Sequence, residues 1–237
     1  MIGRQAFQPF GPDHLTVLGI AGLLAAALII NAPRLRRLSA PSDRLIRQGL
    51  AVLIVGNEVL SWGYALWQGA FGLPLQLCDL AVLLTGWALV GSPRLVREVA
   101  VLWGLAGSSQ AILTPDLTHG FPSYPWLVFF LGHGGVVASA LYLLVRGHVS
   151  LTRASVWRVW LVSNGYVVMA GLMNGWLGTN YGYLARKPAH PSLLDVLGPW
   201  PFYILSVELI ALVLFWCGVG LSRWIDTRAN RPVTGGS

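Results

Sequence analysis

Residues 201–221 read PFYILSVELIALVLFWCGVGL, an apolar run in which Glu208 is the single charged residue. A helix of about 20 apolar residues is long enough to cross the hydrocarbon core of a bilayer. Six more runs of this kind, each with at most two charged residues, occupy about residues 14–31, 46–68, 74–91, 95–113, 125–145 and 156–177. The sequence therefore predicts an all-α membrane protein, built as a bundle of seven transmembrane helices.

The composition favours lipid as the main solvent of this chain. Of its 237 residues, 55% are hydrophobic and 11% are charged, whereas soluble domains carry about 25% charged residues. Residues 1–237 are predicted to form a single transmembrane domain, with a disordered polar tail at 228–237. The net charge of +7 lies in short loops without a basic, aromatic-rich stripe, which argues against a nucleic-acid partner.

The basic residues of the loops predict the orientation of the bundle. Thirteen of the sixteen Lys and Arg residues fall on one side of the seven predicted spans. The other side holds Arg4, Arg186 and Lys187. Because cytoplasmic loops carry the excess of Lys and Arg, the N-terminus is predicted to lie outside and the C-terminus in the cytoplasm.

Among the ionisable residues inside predicted spans, where such groups are costly and often functional, four stand out. They are Glu58, Asp79, His133 and Glu208. At a rise of about 1.5 Å per residue, these four and Cys78 all lie roughly 6–12 Å below the outer surface. A common polar cavity in the outer half of the bilayer would explain such a layer.

Each of these residues also has a structural interpretation. A buried carboxyl such as Glu58 or Glu208 can act as a neutral hydrogen-bonding group between helices, and Asn164 and Asn174 are typical of amides that join transmembrane helices. The glycines after His133 allow close approach of either another backbone or a ligand. The residues alone leave both interpretations open.

Cys78 and His133 form the candidate catalytic pair. A thiol becomes a useful nucleophile when a base takes its proton, and histidine is the usual base. A third group usually orients that histidine. The candidates for this orienting role, or for a polar contribution to the cavity, are Glu58, Asp79, Asn174 and Glu208. No ligand spacing typical of a metal site occurs, so no metal and no cofactor are predicted.

Several sequence motifs resemble those of a known protein family. The segment from Leu73 to Asp79 reads LPLQLCD, His133 is followed by two glycines, and a long polar and aromatic run extends from Asn174 to Tyr203. Together with the leader FGPDH at residues 10–14, these motifs resemble the YwaF-type bacterial integral membrane proteins. Those proteins are similar in turn to the eukaryotic transmembrane protein 164 family.

This resemblance implies a cysteine-dependent acyltransferase that acts on membrane phospholipids, with Cys78 as nucleophile and His133 as base. The expected function is lipid acyl transfer, or lipid ester hydrolysis, through an acyl-thioester in the outer half of the bilayer. Phospholipids or lysophospholipids are the expected partners, and the bacterial inner membrane is the expected location. Headgroup or loop contacts are expected from Asn180, Tyr181, Lys187 and Asp195.

Two alternatives accompany this hypothesis. A more distant similarity to androgen-induced membrane hydrolases, which use a Thr/His pair, makes Thr85 a second candidate nucleophile, deeper in the same span than Cys78. A non-enzymatic transporter, receptor or lipid-binding protein could use the same polar cavity. The polar loop residues could also serve only turn formation around Gly and Pro.

Overall fold

A computed structural model of the protein describes residues 6–70, 72–189 and 192–229. These residues form nine α-helices and contain no β-strand. The helices are α1 (Pro12–Ile30), α2 (Ala32–Leu35), α3 (Ala40–Trp67), α4 (Leu77–Val90), α5 (Arg94–Trp103), α6 (Ser109–Leu113), α7 (Tyr124–Arg146), α8 (Arg153–Leu177) and α9 (Phe202–Ala229). The tail predicted at 228–237 lies outside the described residues from position 230 onward.

Four helices are long and apolar enough to cross a membrane, namely α1, α3, α7 and α9. The apolar α4 is shorter, with 14 residues. The 25 residues of α8 have the length but not the same hydropathy. The chain is therefore a helical membrane protein, with four candidate spans among the described residues.

The predicted span at 95–113 is helical throughout, but it is not a regular α-helix. α5 continues directly into a π-helical turn at Gly104–Ser108, which continues into α6. A Cβ added to Gly104 would lie 3.1 Å from the Ala140 Cβ and 3.2 Å from the Val136 Cγ1, both on α7. The glycine therefore lets the π turn approach α7 closely, and π turns within helices are frequent at functional sites.

The central helix of the bundle is α7. Of its apolar span, 56% is buried, compared with 6% for α1 and 17% each for α3 and α9. It packs against α1, α3, α4 and α5. The surrounding helices present apolar side chains outward, including Leu23, Val52 and Leu209, as expected of surfaces that face lipid.

The bundle has two different ends. The arginine-rich end contains the starts of α3, α5 and α8 and the ends of α4, α7 and α9, with Arg47, Arg94, Arg146 and Arg158 among its ion pairs. The cavity end contains the starts of α4, α7 and α9 together with the connection between α8 and α9. That connection includes 3-10 turns at Tyr181–Tyr183 and Leu193–Val196.

Candidate functional site

A cavity of about 550 Å³ lies between α3, α4, α7 and the π-turn segment. Its wall contains Glu58 from α3, Cys78 and Asp79 from α4, and His133 from α7. We call it the polar cavity. Four residues singled out in the sequence thus meet at one cavity, although they come from three helices.

Cys78 occupies the first turn of α4, which begins at Leu77 and not at Pro74. The start of the helix is fixed by Asp79, whose carboxylate accepts a hydrogen bond from the Gln76 backbone N–H at 3.0 Å. Cys78 is a free, exposed cysteine that lines the polar cavity. Its thiol is therefore accessible to a ligand in that cavity, near the positive end of a helix dipole.

His133 is held in one tautomer by its own helix. Its Nδ1 lies 2.8 Å from the backbone carbonyl oxygen of Phe129. Because a carbonyl oxygen only accepts hydrogen bonds, Nδ1 carries a proton and donates it, which leaves the Nε2 lone pair unused in the neutral ring. The Phe129 ring packs on the imidazole with centroids 4.2 Å apart. His133 thus has the tautomer that a general base at Nε2 requires.

The fully buried His14 shows the opposite arrangement. Its Nδ1 accepts a hydrogen bond from the Phe10 N–H at 2.9 Å, and its Nε2 donates to the Ile112 carbonyl at 2.8 Å. Both ring nitrogens are therefore used within the protein. His14 ties the start of α1 to α6, which gives the leader motif a structural role.

The carboxyl groups of Glu58 from α3 and Asp79 from α4 both line the polar cavity beside Cys78. Within the described part of the chain, no group of three or more His, Cys, Asp or Glu side chains is arranged to hold a metal ion.

The connection after α8 covers the polar cavity, and Asn174 holds it in place. The Asn174 Oδ1 accepts a hydrogen bond from the Tyr181 N–H at 2.6 Å, and its Nδ2 donates to the Tyr181 carbonyl at 3.0 Å. The neighbouring Gly182 N–H donates to the Gln76 Oε1 at 3.0 Å. Asn174 and Tyr181 therefore position the loop, while the partner of the His133 Nδ1 is Phe129.

The other loop residues expected to contact a headgroup are mostly engaged within the loop. The Asn180 Oδ1 accepts hydrogen bonds from two loop N–H groups. Asp195 caps a 3-10 turn by accepting from the Ser192 N–H at 2.7 Å. The Lys187 ammonium lies 5.6 Å from the centroid of the Tyr203 ring. Lys187 carries a positive charge but does not line the polar cavity.

Glu208 lies on a second, neighbouring cavity and does not line the polar cavity. Its Oε2 accepts a hydrogen bond from the Asn164 Nδ2 at 3.3 Å, which joins α9 to α8. The polar layer expected from helix depth is therefore divided between two cavities.

Two residues of the cavity wall, Tyr183 and Asp116, were not predicted as site residues from the sequence. The Tyr183 hydroxyl donates a hydrogen bond to the Asp116 Oδ2 at 2.8 Å. Burial, and then this carboxylate, raise the pKa of Tyr183 above its ordinary value. Its φ of 55° is uncommon for a residue with a side chain and is found preferentially at functional sites. The adjacent Gly182-Tyr183 in the long loop motif is the sequence signal that could have identified it.

Comparison with known proteins shows the family to which the chain belongs. The family model described as the TMEM164 family matches residues 9–219, a range that includes Cys78, His133 and the other cavity residues named above. The bacterial YwaF-type resemblance is not confirmed by this match. Searches of curated proteins and of solved structures gave no significant match. Because the family model covers most of the chain, the protein belongs to the TMEM164 family.

Proposed function

We propose that the protein is a membrane-embedded lipid acyltransferase or lipid esterase that works through an acyl-thioester on Cys78. The observation that carries the proposal is the shared cavity of two groups from different helices. Cys78 provides an accessible thiol, and His133 provides an Nε2 whose lone pair is left unused by its hydrogen bonding. The resemblance to the transmembrane protein 164 family implies the same pair of residues.

In the first half-reaction, the His133 Nε2 takes the thiol proton as the Cys78 sulfur attacks the ester carbonyl carbon of a phospholipid. The ester carbon–oxygen bond breaks, and the departing oxygen receives that proton from His133. The products are a lysophospholipid and a Cys78 thioester. Throughout this step, the Phe129 carbonyl orients the imidazole and stabilises its charged form by accepting from Nδ1–H.

In the second half-reaction, His133 takes a proton from the acceptor, whose oxygen attacks the thioester carbonyl carbon. The carbon–sulfur bond breaks, and the proton passes from His133 to the sulfur. A lysophospholipid hydroxyl as acceptor gives acyl transfer, whereas water gives hydrolysis. Both reactions share one intermediate, so the same residues serve either outcome.

The remaining candidate residues receive roles from their contacts. Glu58 and Asp79 contribute the polar wall beside the reacting groups, and Lys187 supplies a point charge for a headgroup phosphate. Asn174, Asn180, Tyr181 and Asp195 hold the loop that carries this lysine.

The proposal includes a topology for a single transmembrane domain. α4, the α5–α6 segment and α8 complete seven crossings, with the N-terminus outside and the arginine-rich end in the cytoplasm of a bacterial inner membrane. This orientation puts the polar cavity in the outer half of the bilayer. Alkaline phosphatase, which is active only outside the cytoplasm, tests it when fused in the α8–α9 or the α7–α8 connection. Activity is expected at the first position and not at the second.

A transporter, receptor or lipid-binding protein that uses the same cavity is the second candidate. The presence of Glu58 and Asp79 on one cavity wall favours it, because intramembrane carboxyl groups serve as proton relays in transporters. Under this alternative, Cys78→Ser retains function, and Glu58→Gln abolishes it.

The test of the leading proposal is a labelling experiment. The purified protein in nanodiscs is treated with a phospholipid analogue that carries a thiol-reactive chloroacetamide, and adducts are mapped by mass spectrometry. Cys217 is an internal reference, since it is also a free, exposed cysteine but lines neither cavity. We expect Cys78 to react faster than Cys217, and the rate at Cys78 to fall about 10²-fold or more in His133→Ala.

Equal labelling rates at the two cysteines would rule out the thiol–imidazole mechanism. So would a Cys78 labelling rate that is the same in wild type and in His133→Ala. A mixture of phosphatidylethanolamine donors and a labelled lysophospholipid then distinguishes transfer from hydrolysis. Labelled diacyl product indicates transfer, and free fatty acid indicates hydrolysis.

A further inference from the structure

The cavity that contains Glu208 has a volume of about 350 Å³ and lies between the π-turn segment, α8, α9 and the connection between α8 and α9. Its wall is mainly apolar, with Val167 from α8, Leu197 from the connection, and Ala211 and Leu214 from α9. We call it the apolar cavity. Its position within the membrane-spanning helices suits a hydrocarbon ligand.

Most polar side chains of this wall are already bonded to the protein. The Ser163 hydroxyl donates to the Val159 carbonyl and accepts from the Trp103 indole N–H, both at 2.9 Å. The Tyr203 hydroxyl donates to the backbone carbonyl of Tyr183. Such groups offer little to a polar ligand, so the free surface of the cavity is mostly that of carbon atoms.

The two cavities adjoin each other at the candidate nucleophile. Leu77, the residue before Cys78, lines both of them, and so do Gly107, Asp116 and Tyr183. The hydrogen-bonded Tyr183 and Asp116 side chains stand at this shared wall. The apolar cavity therefore shares part of its wall with the cavity that Cys78 lines.

We propose that the apolar cavity holds the fatty acyl chain of the donor, and keeps it there while the chain is bound to Cys78 as a thioester. This proposal rests on the acyl-thioester function proposed above and names the part of the substrate that the second cavity takes. The polar cavity is then free to admit the acceptor hydroxyl or water, because the departed lysophospholipid no longer occupies it. The depth of the apolar cavity limits the length of the chain that the enzyme transfers.

The first test is a change in chain-length preference. Ala211→Phe adds a ring inside the apolar cavity, and Val213→Phe adds the same ring on the lipid-facing side of α9, where Val213 is 61% exposed and lines neither cavity. Turnover of a long-chain phosphatidylethanolamine is measured against a short-chain one. We expect the long-to-short ratio to fall by more than about tenfold in Ala211→Phe and to stay unchanged in Val213→Phe, since each lost methylene contact is worth about tenfold or more.

The second test does not depend on turnover. Cys78→Ser protein in nanodiscs is irradiated with a phosphatidylethanolamine that carries a diazirine at the end of one acyl chain. Crosslinks at Leu197 or Leu214 that disappear in the Ala211→Phe background support the proposal. Crosslinks confined to outward-facing residues, such as Leu209, would overturn it.

The two tests separate this proposal from the function on which it rests. An active enzyme whose chain-length ratio is the same in wild type and Ala211→Phe overturns the acyl-chain site and leaves the thioester mechanism intact. If the wild-type protein turns over no donor but crosslinks within the apolar cavity, the proposed enzymatic function is wrong and the apolar cavity is still a binding site for a lipid chain.

Discussion

The two ends of the bundle treat buried polar groups in opposite ways. At the arginine-rich end, Asp43 is 4% exposed and accepts hydrogen bonds from four side chains. The donors are Tyr142 at 2.9 Å, Arg146 at 2.7 Å, and His148 and Arg47 at 3.0 Å each. These four bonds use the accepting capacity of the carboxylate, so Asp43 ties α3 to the end of α7.

The fully buried Glu98 follows the same rule. It accepts hydrogen bonds from Arg94 at 2.8 Å, Arg158 at 2.7 Å and Ser155 at 2.9 Å, which joins α5 to α8. At the cavity end, by contrast, the Cys78 thiol and His133 line an open cavity. Polar groups with a full set of partners hold helices together, whereas groups that face open space can act on a ligand.

The sharpest test of this contrast is Cys78→Ala. We expect lipid acyl transfer and hydrolysis to fall by about 10⁴-fold or more, because the covalent intermediate cannot form. The unfolding free energy is expected to change by less than about 1 kcal/mol, since the side chain is exposed to the cavity. Product lipids are measured by mass spectrometry, and Cys217→Ala is the matched control with full activity. Near-normal turnover by Cys78→Ala would show that the cavity end is not a thiol active site.

The converse substitution is Asp43→Asn at the other end. Removal of a buried charge leaves Arg146 and Arg47 without their partner, at a cost of about 3–5 kcal/mol in unfolding free energy. Activity per folded molecule should not change. Asp226→Asn is the control, because its ion pair with Arg36 is partly exposed and such pairs contribute at most about 1 kcal/mol. Equal loss from both variants, measured by SDS unfolding in mixed micelles, would contradict the distinction between the two ends.

The sequence predicted the features that depend on local composition. Apolar runs of sufficient length identify α1, α3, α7 and α9, because lipid requires such runs in any fold. Counting residues along each helix also predicted a similar membrane depth for Glu58, Cys78, Asp79 and His133. In the structure these residues line one cavity. Depth, however, fixes only the position along the helix axis. The direction in which Glu208 points depends on the rotation of α9 in the bundle, and the structure directs it to the apolar cavity.

The features that could not be predicted from the sequence depend on contacts with particular partners in the folded protein. The sequence does not show that Phe129 would orient His133, because any nearby carbonyl could do so. Nor does it show that Asn174 binds the backbone of Tyr181. The π turn at Gly104–Ser108 depends on close packing with α7, so a count of apolar residues treats the segment as one regular helix.

A smaller effect is expected from Gly182→Ala in the loop over the polar cavity. Gly182 has φ of 64°, and an added Cβ would lie 2.9 Å from the Tyr166 hydroxyl. Gly178→Ala is the control, since its φ of 66° is similar and no atom lies within 4 Å of its Cβ position. Both variants lose about 1–2 kcal/mol of stability through left-handed backbone strain. Only Gly182→Ala should also lower the activity, because the loop and Tyr183 must move. Equal activities of the two variants would show that the position of this loop does not affect the reaction.

The smallest effect concerns Thr85, which lies between the two ends. Its side chain is fully buried, its hydroxyl has no hydrogen-bond partner, and it lines neither cavity. Thr85→Val should therefore stabilise the protein by about 1 kcal/mol, because an unpaired buried hydroxyl is removed. Thr227→Val, at an exposed hydroxyl bonded to the Arg223 carbonyl, should change stability by less than about 0.5 kcal/mol. Activity separates the two candidate nucleophiles: full turnover by Thr85→Val leaves Cys78 as the nucleophile, whereas its loss would transfer that role to a threonine.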